Sequence, residues 1–69
     1  MKNKAKIKKL LKEREEATNL IAKLLDGDLE KARKWMDTPT ELLFGYSPTE
    51  AIFGGEGEAV IKWLKERSS

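Results

Sequence analysis

A stripe of apolar residues over roughly residues 3 to 25 constrains the fold of this chain more than any other feature. Its members recur three and four residues apart: Ile7, Leu10, Leu11, Ala17, Leu20, Ile21, Leu24 and Leu25. This spacing places the side chains on one face of an α-helix. The stripe therefore predicts one long helix over this range.

The first half of this helix differs from the second in charge. Met1 to Lys12 contains six lysines and no acidic residue, whereas the rest of the chain carries 8 basic and 12 acidic residues, a net charge of −4. Arg14 also interrupts the apolar stripe one turn after Leu10 and Leu11. We therefore interpret residues 1–16 as a basic helical extension, which reaches beyond the core or pairs with another chain, and residues 17–69 as the domain.

The segment Asp26-Gly27-Asp28 indicates that one helix ends and another begins. Glycine is favoured in the left-handed position after a helix, and aspartate is favoured at the N-cap of the next. A second helix is predicted from Leu29 to about Met36.

Two similar stretches follow, Thr38-Pro39-Thr40-Glu41 and Ser47-Pro48-Thr49-Glu50. Each matches a capping box, in which a hydroxyl accepts from the N–H three residues later and a glutamate there accepts from the cap N–H. Proline fits the first helical position, which lacks an intrahelical partner. The prediction is two short helices, residues 39–44 before Gly45 and residues 48–53 before Gly54-Gly55.

A last helix is predicted from near Glu56 to Arg67, with apolar residues on one face. Gly57 in its first turn is unusual, since glycine costs about 1 kcal/mol relative to alanine inside a helix. It is expected to let another backbone approach closely. Because no strand-like alternation occurs, the predicted fold is all-α, a small bundle of about five helices with one long N-terminal helix followed by short ones.

The amino-acid composition limits the classes of function that this chain can have. In a chain of 69 residues, the core is small, and without cysteine or histidine neither a disulfide nor a typical zinc site is expected to reinforce it. Efficient packing or a partner chain must therefore stabilise the core. No cofactor, metal site or catalytic residue is predicted, and the chain is not expected to be an enzyme. Short apolar runs and the lack of a signal peptide predict a cytoplasmic protein.

The region from Asp37 to Glu58 has five acidic residues and no lysine or arginine. Most of these acids are explained by helix capping, although a surface of one charge would also steer a basic partner. The apolar residues in this region are expected mostly in the core, but one or two aromatic side chains could instead form a partner-binding patch. The large apolar residues of this region are Leu42, Leu43, Phe44, Tyr46, Ile52 and Phe53.

Residues 28–66 resemble the toxin-binding domain of the MbcA/ParS/Xre antitoxin family. The matching positions are Ala32, Trp35 and Met36, then Thr38-Pro39, Leu43 and Gly45, then Ser47-Pro48, and finally Gly57, Val60 and Leu64. The resemblance covers about residues 17 to 67. Thr40 replaces a usual asparagine, Phe44 replaces a common glycine, and Ala51-Ile52 replaces a leucine-rich pair. Xre-type members also carry a helix-turn-helix domain, for which the residues before the match leave no room.

The resemblance implies a stand-alone bacterial antitoxin domain that neutralises a RES-type, NAD-consuming toxin. Its C-terminal helix and tail would cover the entrance to the toxin's active site. The residues implied in toxin binding are Trp63, Lys65, Glu66, Arg67 and Ser69. The residues implied in the supporting structural motif are Thr38, Pro39, Glu41, Gly45, Ser47, Pro48, Glu50 and Gly57.

Two alternatives concern the first helix. Its lysines, with Lys4, Lys8, Lys9 and Lys12 as the candidate contacts, could bind nucleic acid without reading sequence. The sequence favours a solvated face over this alternative, because the run has no arginine and no aromatic residue for base stacking. The helix could also pair with a second copy in a homo-oligomer, through an apolar set of four residues: Ile7, Leu10, Leu11 and Ile21.

Overall fold

A computed structural model describes the backbone of residues 2–68 and the side chains of residues 5–67. Helix α1 spans Lys2–Leu24, α2 Leu29–Met36, α3 Pro48–Ala51 and α4 Gly57–Ser68, with a 3-10 turn at Glu41–Leu43 and a π-helical turn at Ile52–Glu56. No strand occurs in the described residues. The all-α prediction is confirmed.

The predicted number of helices is wrong. Within residues 2–68, three helices run for eight residues or more, α1, α2 and α4, rather than about five. The first predicted short helix is only a three-residue 3-10 turn, and the second is a four-residue α-helix that continues into the π-helical turn. Gly55, with φ of 98°, makes a kink inside this turn, two residues before α4 begins, because glycine adopts that conformation without steric cost.

Helix α1 forms the long axis of the molecule. Its 23 residues span about 35 Å, close to the largest dimension of the molecule, 39 Å. Both α2 and α4 pack against it. Across the described part of the chain, no helix is both long enough and apolar enough to cross a membrane.

The core lies where α1, α2, α4 and the π-helical turn meet. Its buried apolar residues are Ala17, Ile21, Ala22, Ala32, Met36, Ile52, Val60, Ile61 and Leu64. Ile21 is only 3% exposed and Leu10 packs against this cluster, so neither is available for the pairing with a second copy that the sequence suggested. That set is corrected to Ile7 and Leu11, which are 51% and 48% exposed.

Two predicted helix caps are present. Asp28 caps α2, where its carboxylate accepts from the Lys31 N–H at 3.0 Å. Ser47 and Glu50 form a complete capping box: the Ser47 hydroxyl accepts from the Glu50 N–H at 3.1 Å, and the Glu50 carboxylate accepts from the Ser47 N–H at 3.0 Å. Since Ser47 is 3% exposed, these bonds satisfy groups that water reaches poorly.

The other predicted capping box, at Thr38 and Glu41, is wrong. The Thr38 hydroxyl donates to the Lys34 carbonyl at 2.7 Å, because Thr38 directly follows the C-cap of α2 and its side chain lies beside the last turn of that helix. Thr40 takes the N-cap position of the 3-10 turn instead, and its hydroxyl accepts from the Leu42 N–H at 3.3 Å. The two similar four-residue stretches therefore lie at different kinds of helix end: Thr38 bonds to the end of α2, whereas Ser47 caps the start of α3.

This difference predicts unequal effects of removing the two hydroxyls. Ser47→Ala is expected to lower the free energy of unfolding by about 1 kcal/mol, because the Glu50 N–H loses its acceptor in a partly buried position. Thr38→Ala, the matched control, removes an exposed bond and is expected to cost about 0.5 kcal/mol or less. Urea unfolding measures both. Equal losses of unfolding free energy in the two variants would contradict the assignment of the capping box to Ser47 alone.

Gly57 allows α1 and α4 to approach closely. It is buried, and a Cβ built on it would lie 2.5 Å from Oε1 of Glu13 on α1. The Glu13 carboxylate thus lies against the first turn of α4, where a negative charge favours the helix dipole. The prediction that another backbone approaches Gly57 is wrong, because the nearest neighbour is the carboxylate side chain of Glu13 on α1.

Candidate protein-binding site

The segment between α2 and α4, residues 40–54, forms a compact corner. Backbone bonds close its first part: the Thr40 N–H donates to the Tyr46 carbonyl at 3.1 Å, and the Gly45 N–H donates to the Thr40 carbonyl at 2.9 Å. The Ser47 capping box then starts α3 directly after this loop. These bonds close the backbone of residues 40–46 into a loop that leads directly into α3.

Phe44 is the most unusual residue of the corner. Its side chain is 94% exposed, and its backbone is left-handed, with φ 56° and ψ 34°. This conformation costs an ordinary L-residue about 1–2 kcal/mol, and a glycine would avoid the penalty. The chain therefore displays an aromatic ring to solvent at a position where backbone energetics favour a residue without a side chain.

A groove runs between the corner and α4, and we name it the corner groove. Leu42, Phe44 and Tyr46 form one wall, and Val60 and Trp63 belong to the other. The groove is open and has a volume of about 720 Å³. Leu42 and Tyr46 are 59% and 58% exposed, so the apolar character of the wall is accessible to a partner.

The rim of the corner groove is acidic. Glu50 and Glu56 border it, and Glu41 is exposed on the corner beside it. No lysine or arginine occurs between Asp37 and Lys62. An apolar groove with a rim of one charge suits the apolar face of a partner that carries basic groups at its edges.

Three side chains from α2 and α4 stack on one another: Trp35, Trp63 and Arg67. The rings of Trp35 on α2 and Trp63 on α4 lie nearly parallel, at 10°, with centroids 6.4 Å apart. The guanidinium carbon of Arg67 lies 4.2 Å from the centroid of a Trp63 ring, a cation–π contact. The stack fixes the last turns of α4 relative to α2.

The structure brings together only part of the predicted toxin-binding set. Trp63 and Arg67 share one face of α4 and contact each other. Lys65 lies toward α1, where its ammonium group is 3.4 Å from a carboxylate oxygen of Glu16. Glu66 is exposed, and Ser69 lies outside the described residues.

Comparison with protein-family models, with curated proteins and with solved structures finds no match. The site must therefore be interpreted from its own residues. Apolar walls, acidic edges and an arginine stacked on an aromatic ring provide contacts for binding a macromolecule.

The candidate nucleic-acid contacts lie on the extension of α1. Lys8, Lys9 and Lys12 are exposed, and the side chain of Lys4 lies outside the described residues. Lys9 pairs with Glu58 of α4 at 3.8 Å, but both side chains are largely exposed and the pair contributes little. Lys8 and Lys12, one turn apart, remain directed toward solvent.

Sequence reasoning placed most apolar side chains of the corner in the core, and this was wrong for four of them. Leu42, Phe44, Tyr46 and Phe53 are each at least 45% exposed, whereas Ile52 is buried and Leu43 is half-buried. The available signal was Phe44 itself, which directly precedes Gly45 at the predicted end of a short helix, where left-handed backbone is common. A bulky aromatic residue at such a position indicates a role outside the core.

Proposed function

We propose that this chain is an antitoxin-like, protein-binding domain that neutralises a RES-type, NAD-consuming toxin. In this proposal the C-terminal helix and tail cover the entrance to the toxin's active site. The corner groove docks beside that entrance. The chain itself performs no chemistry and acts by excluding the toxin's substrate.

The observation that carries the proposal is the exposed ring of Phe44. A fully exposed aromatic side chain contributes almost nothing to the core, yet here it also occupies an unfavourable backbone conformation. Aromatic residues are enriched in protein interfaces, where burial against a partner contributes binding free energy. Phe44 is therefore assigned as the anchor of the interface.

The Trp35–Trp63–Arg67 stack supports the role of α4. A tail that covers an active-site entrance must leave the domain in a defined direction, and the stack holds the last two turns of α4 in place. Pre-organisation of this kind lowers the entropy lost on binding. Arg67, already positioned over Trp63, would then be presented to the toxin together with the tail.

The acidic rim supports a basic toxin surface as the docking partner. Opposite charges accelerate encounter more than they raise affinity, and salt screens the effect over about 10 Å at 0.1 M. The association rate is therefore expected to fall as ionic strength rises. Equal association rates at low and high ionic strength would speak against a basic docking surface.

Removing the Phe44 ring tests the proposal. Phe44→Gly deletes the ring and relieves the left-handed strain, so the variant is expected to fold at least as stably as the parent. It should require at least about tenfold more protein to inhibit the toxin, since interface anchors commonly contribute more than 1.4 kcal/mol. The measurement is NAD⁺ consumption by a purified RES-type enzyme from the neighbouring reading frame, if that frame encodes one, titrated with each variant.

Leu24→Ala is the matched control. Leu24 is also an exposed apolar residue, at 44%, but it lies at the end of α1 and does not line the groove. It should inhibit as well as the parent. The proposal is wrong if the unaltered protein leaves NAD⁺ consumption unchanged, or if Phe44→Gly inhibits as strongly as the parent does.

A basic-armed, DNA-associated protein without a toxin partner is the second candidate. The solvent-directed Lys8 and Lys12 on the α1 extension favour it, because lysines on one helix face can contact phosphates. A lysine face explains neither the exposed Phe44 nor the acidic groove. It therefore ranks below the antitoxin-like role.

A further inference from the structure

Besides the corner groove, a second surface displays apolar residues to solvent. Ile7 and Leu11 on α1 are 51% and 48% exposed, and Leu29 on α2 is 44% exposed. Arg14 and Arg33 flank Leu11 and Leu29. We name these five residues the basic face.

The basic face contains a cleft that has an unsatisfied donor. The cleft lies between Leu11 and Leu29 and has a volume of about 370 Å³. The Nε atom of Arg14 is buried there without a hydrogen-bond acceptor in the described structure. A buried donor without an acceptor is unfavourable, so this side of α1 is incompletely satisfied within the single chain.

The two surfaces carry opposite charges, and both expose apolar side chains. The corner groove offers a protruding ring, Phe44, beside the acidic Glu41 and Glu56. The basic face offers the exposed Leu11 and Leu29 between two arginines, in a cleft that Glu15, Thr18 and Asn19 also line. An aromatic ring in such a cleft would have a guanidinium group available for cation–π contact.

We propose that the corner groove of one copy binds the basic face of a second copy, with Phe44 seated in the cleft between Leu11 and Leu29. Glu41 and Glu56 then face the arginines and lysines of the second copy. The contact joins two different surfaces, so copies associate head to tail, and the assembly grows beyond a dimer unless it closes into a ring.

This association would cover the residue assigned to toxin docking. A toxin and a second copy cannot occupy Phe44 together, so self-association and toxin binding exclude one another. The inference does not depend on the toxin, however. It is tested on the purified chain alone, so its failure and the failure of the antitoxin role are distinguishable.

Charge reversal on each surface tests the contact by sedimentation velocity. The parent is expected to show a mass that rises with concentration to at least twice the monomer value of 7.9 kDa. Glu41→Lys/Glu56→Lys makes the groove basic, and Lys8→Glu/Arg33→Glu makes the other surface acidic. Each double variant alone should weaken self-association at least about tenfold, because like charges then meet.

The decisive experiment is an equimolar mixture of the two double variants. The basic groove of one variant then meets the acidic face of the other, and the two remaining surfaces keep the parental pairing. Association should therefore return in an equimolar mixture. Glu30→Lys is the control, since Glu30 is an exposed acid in the first turn of α2 and does not line the groove; it should associate like the parent.

Three results would overturn the inference. The parent could remain at monomer mass at every concentration. The charge-reversed variants could associate as strongly as the parent does, which would place the contact elsewhere. The mixture could also stay monomeric although both variants retain the parental circular dichroism spectrum, which would show that the two surfaces do not meet.

Discussion

Replacing Met36 by alanine is expected to lower the free energy of unfolding by about 2–5 kcal/mol. Met36 is 0% exposed and is among the largest side chains that the core buries completely. Its removal loses apolar burial and leaves a cavity that the neighbouring helices fill only partly. Since a core in a chain of this size rarely supplies more than about 3–5 kcal/mol, this variant should lose much of its stability and unfold at a clearly lower urea concentration than the parent.

The matched comparison is Phe44→Ala, which deletes a larger side chain. Because Phe44 is 94% exposed, its loss is expected to change the free energy of unfolding by less than about 0.5 kcal/mol. Met36→Leu nearly conserves volume and should cost less than about 1.5 kcal/mol. Urea unfolding followed by circular dichroism at one fixed protein concentration measures all three variants. A mild effect of Met36→Ala would contradict the position of α2 in the core.

Replacing Trp63 by alanine is expected to cost about 2–3 kcal/mol. The value lies below that of a fully buried tryptophan because Trp63 is only half-buried. The loss combines burial against the core, the stack on Trp35 and the contact with Arg67. Thermal and urea unfolding at fixed concentration measure it.

A double-mutant cycle isolates the stack itself. Trp35→Ala and Trp63→Ala, alone and together, should show a coupling free energy of about 0.5–1.5 kcal/mol. Arg67→Ala is expected to cost about 0.5–1 kcal/mol through the cation–π contact, and that cost should disappear in the Trp63→Ala background. Additive effects of the two tryptophans would refute the stack as an energetic contact.

The helices that the sequence predicted best are those with local signals. The bounds of α2 match the prediction, and the Asp28 cap and the Ser47–Glu50 capping box are as expected. Such features depend on residues within a turn or two of each other. Periodicity and cap chemistry are therefore sufficient to predict them.

The Thr38 stretch shows where local signals fail. Its letters satisfy the capping-box pattern as well as those of Ser47 do, yet its hydroxyl bonds to the end of α2. Thr38 can bond either to the end of α2 or to the start of the following turn, and the sequence pattern does not show which of the two bonds forms. The corner then starts at Thr40 and becomes a 3-10 turn rather than a full helix.

The candidate site depends on contacts between residues distant in the chain. The corner meets α4 to form the groove, Trp35 stacks on Trp63, and Lys65 pairs with Glu16. The predicted tail residues are consequently divided between two sides of α4. No spacing in the sequence reports these pairings, because they arise from the angle at which the helices pack.

The sequence by itself determined the helical class, the ends of the principal helices, the basic first helix and the acidic corner, because periodicity, capping and charge are properties of short segments. Only the tertiary structure decided which apolar residues remain outside the core. Met36 and Phe44 are both large apolar side chains, yet one is fully buried and the other is 94% exposed. Burial depends on which helices converge on a residue, and in this protein they converge on Met36 and leave Phe44 to solvent.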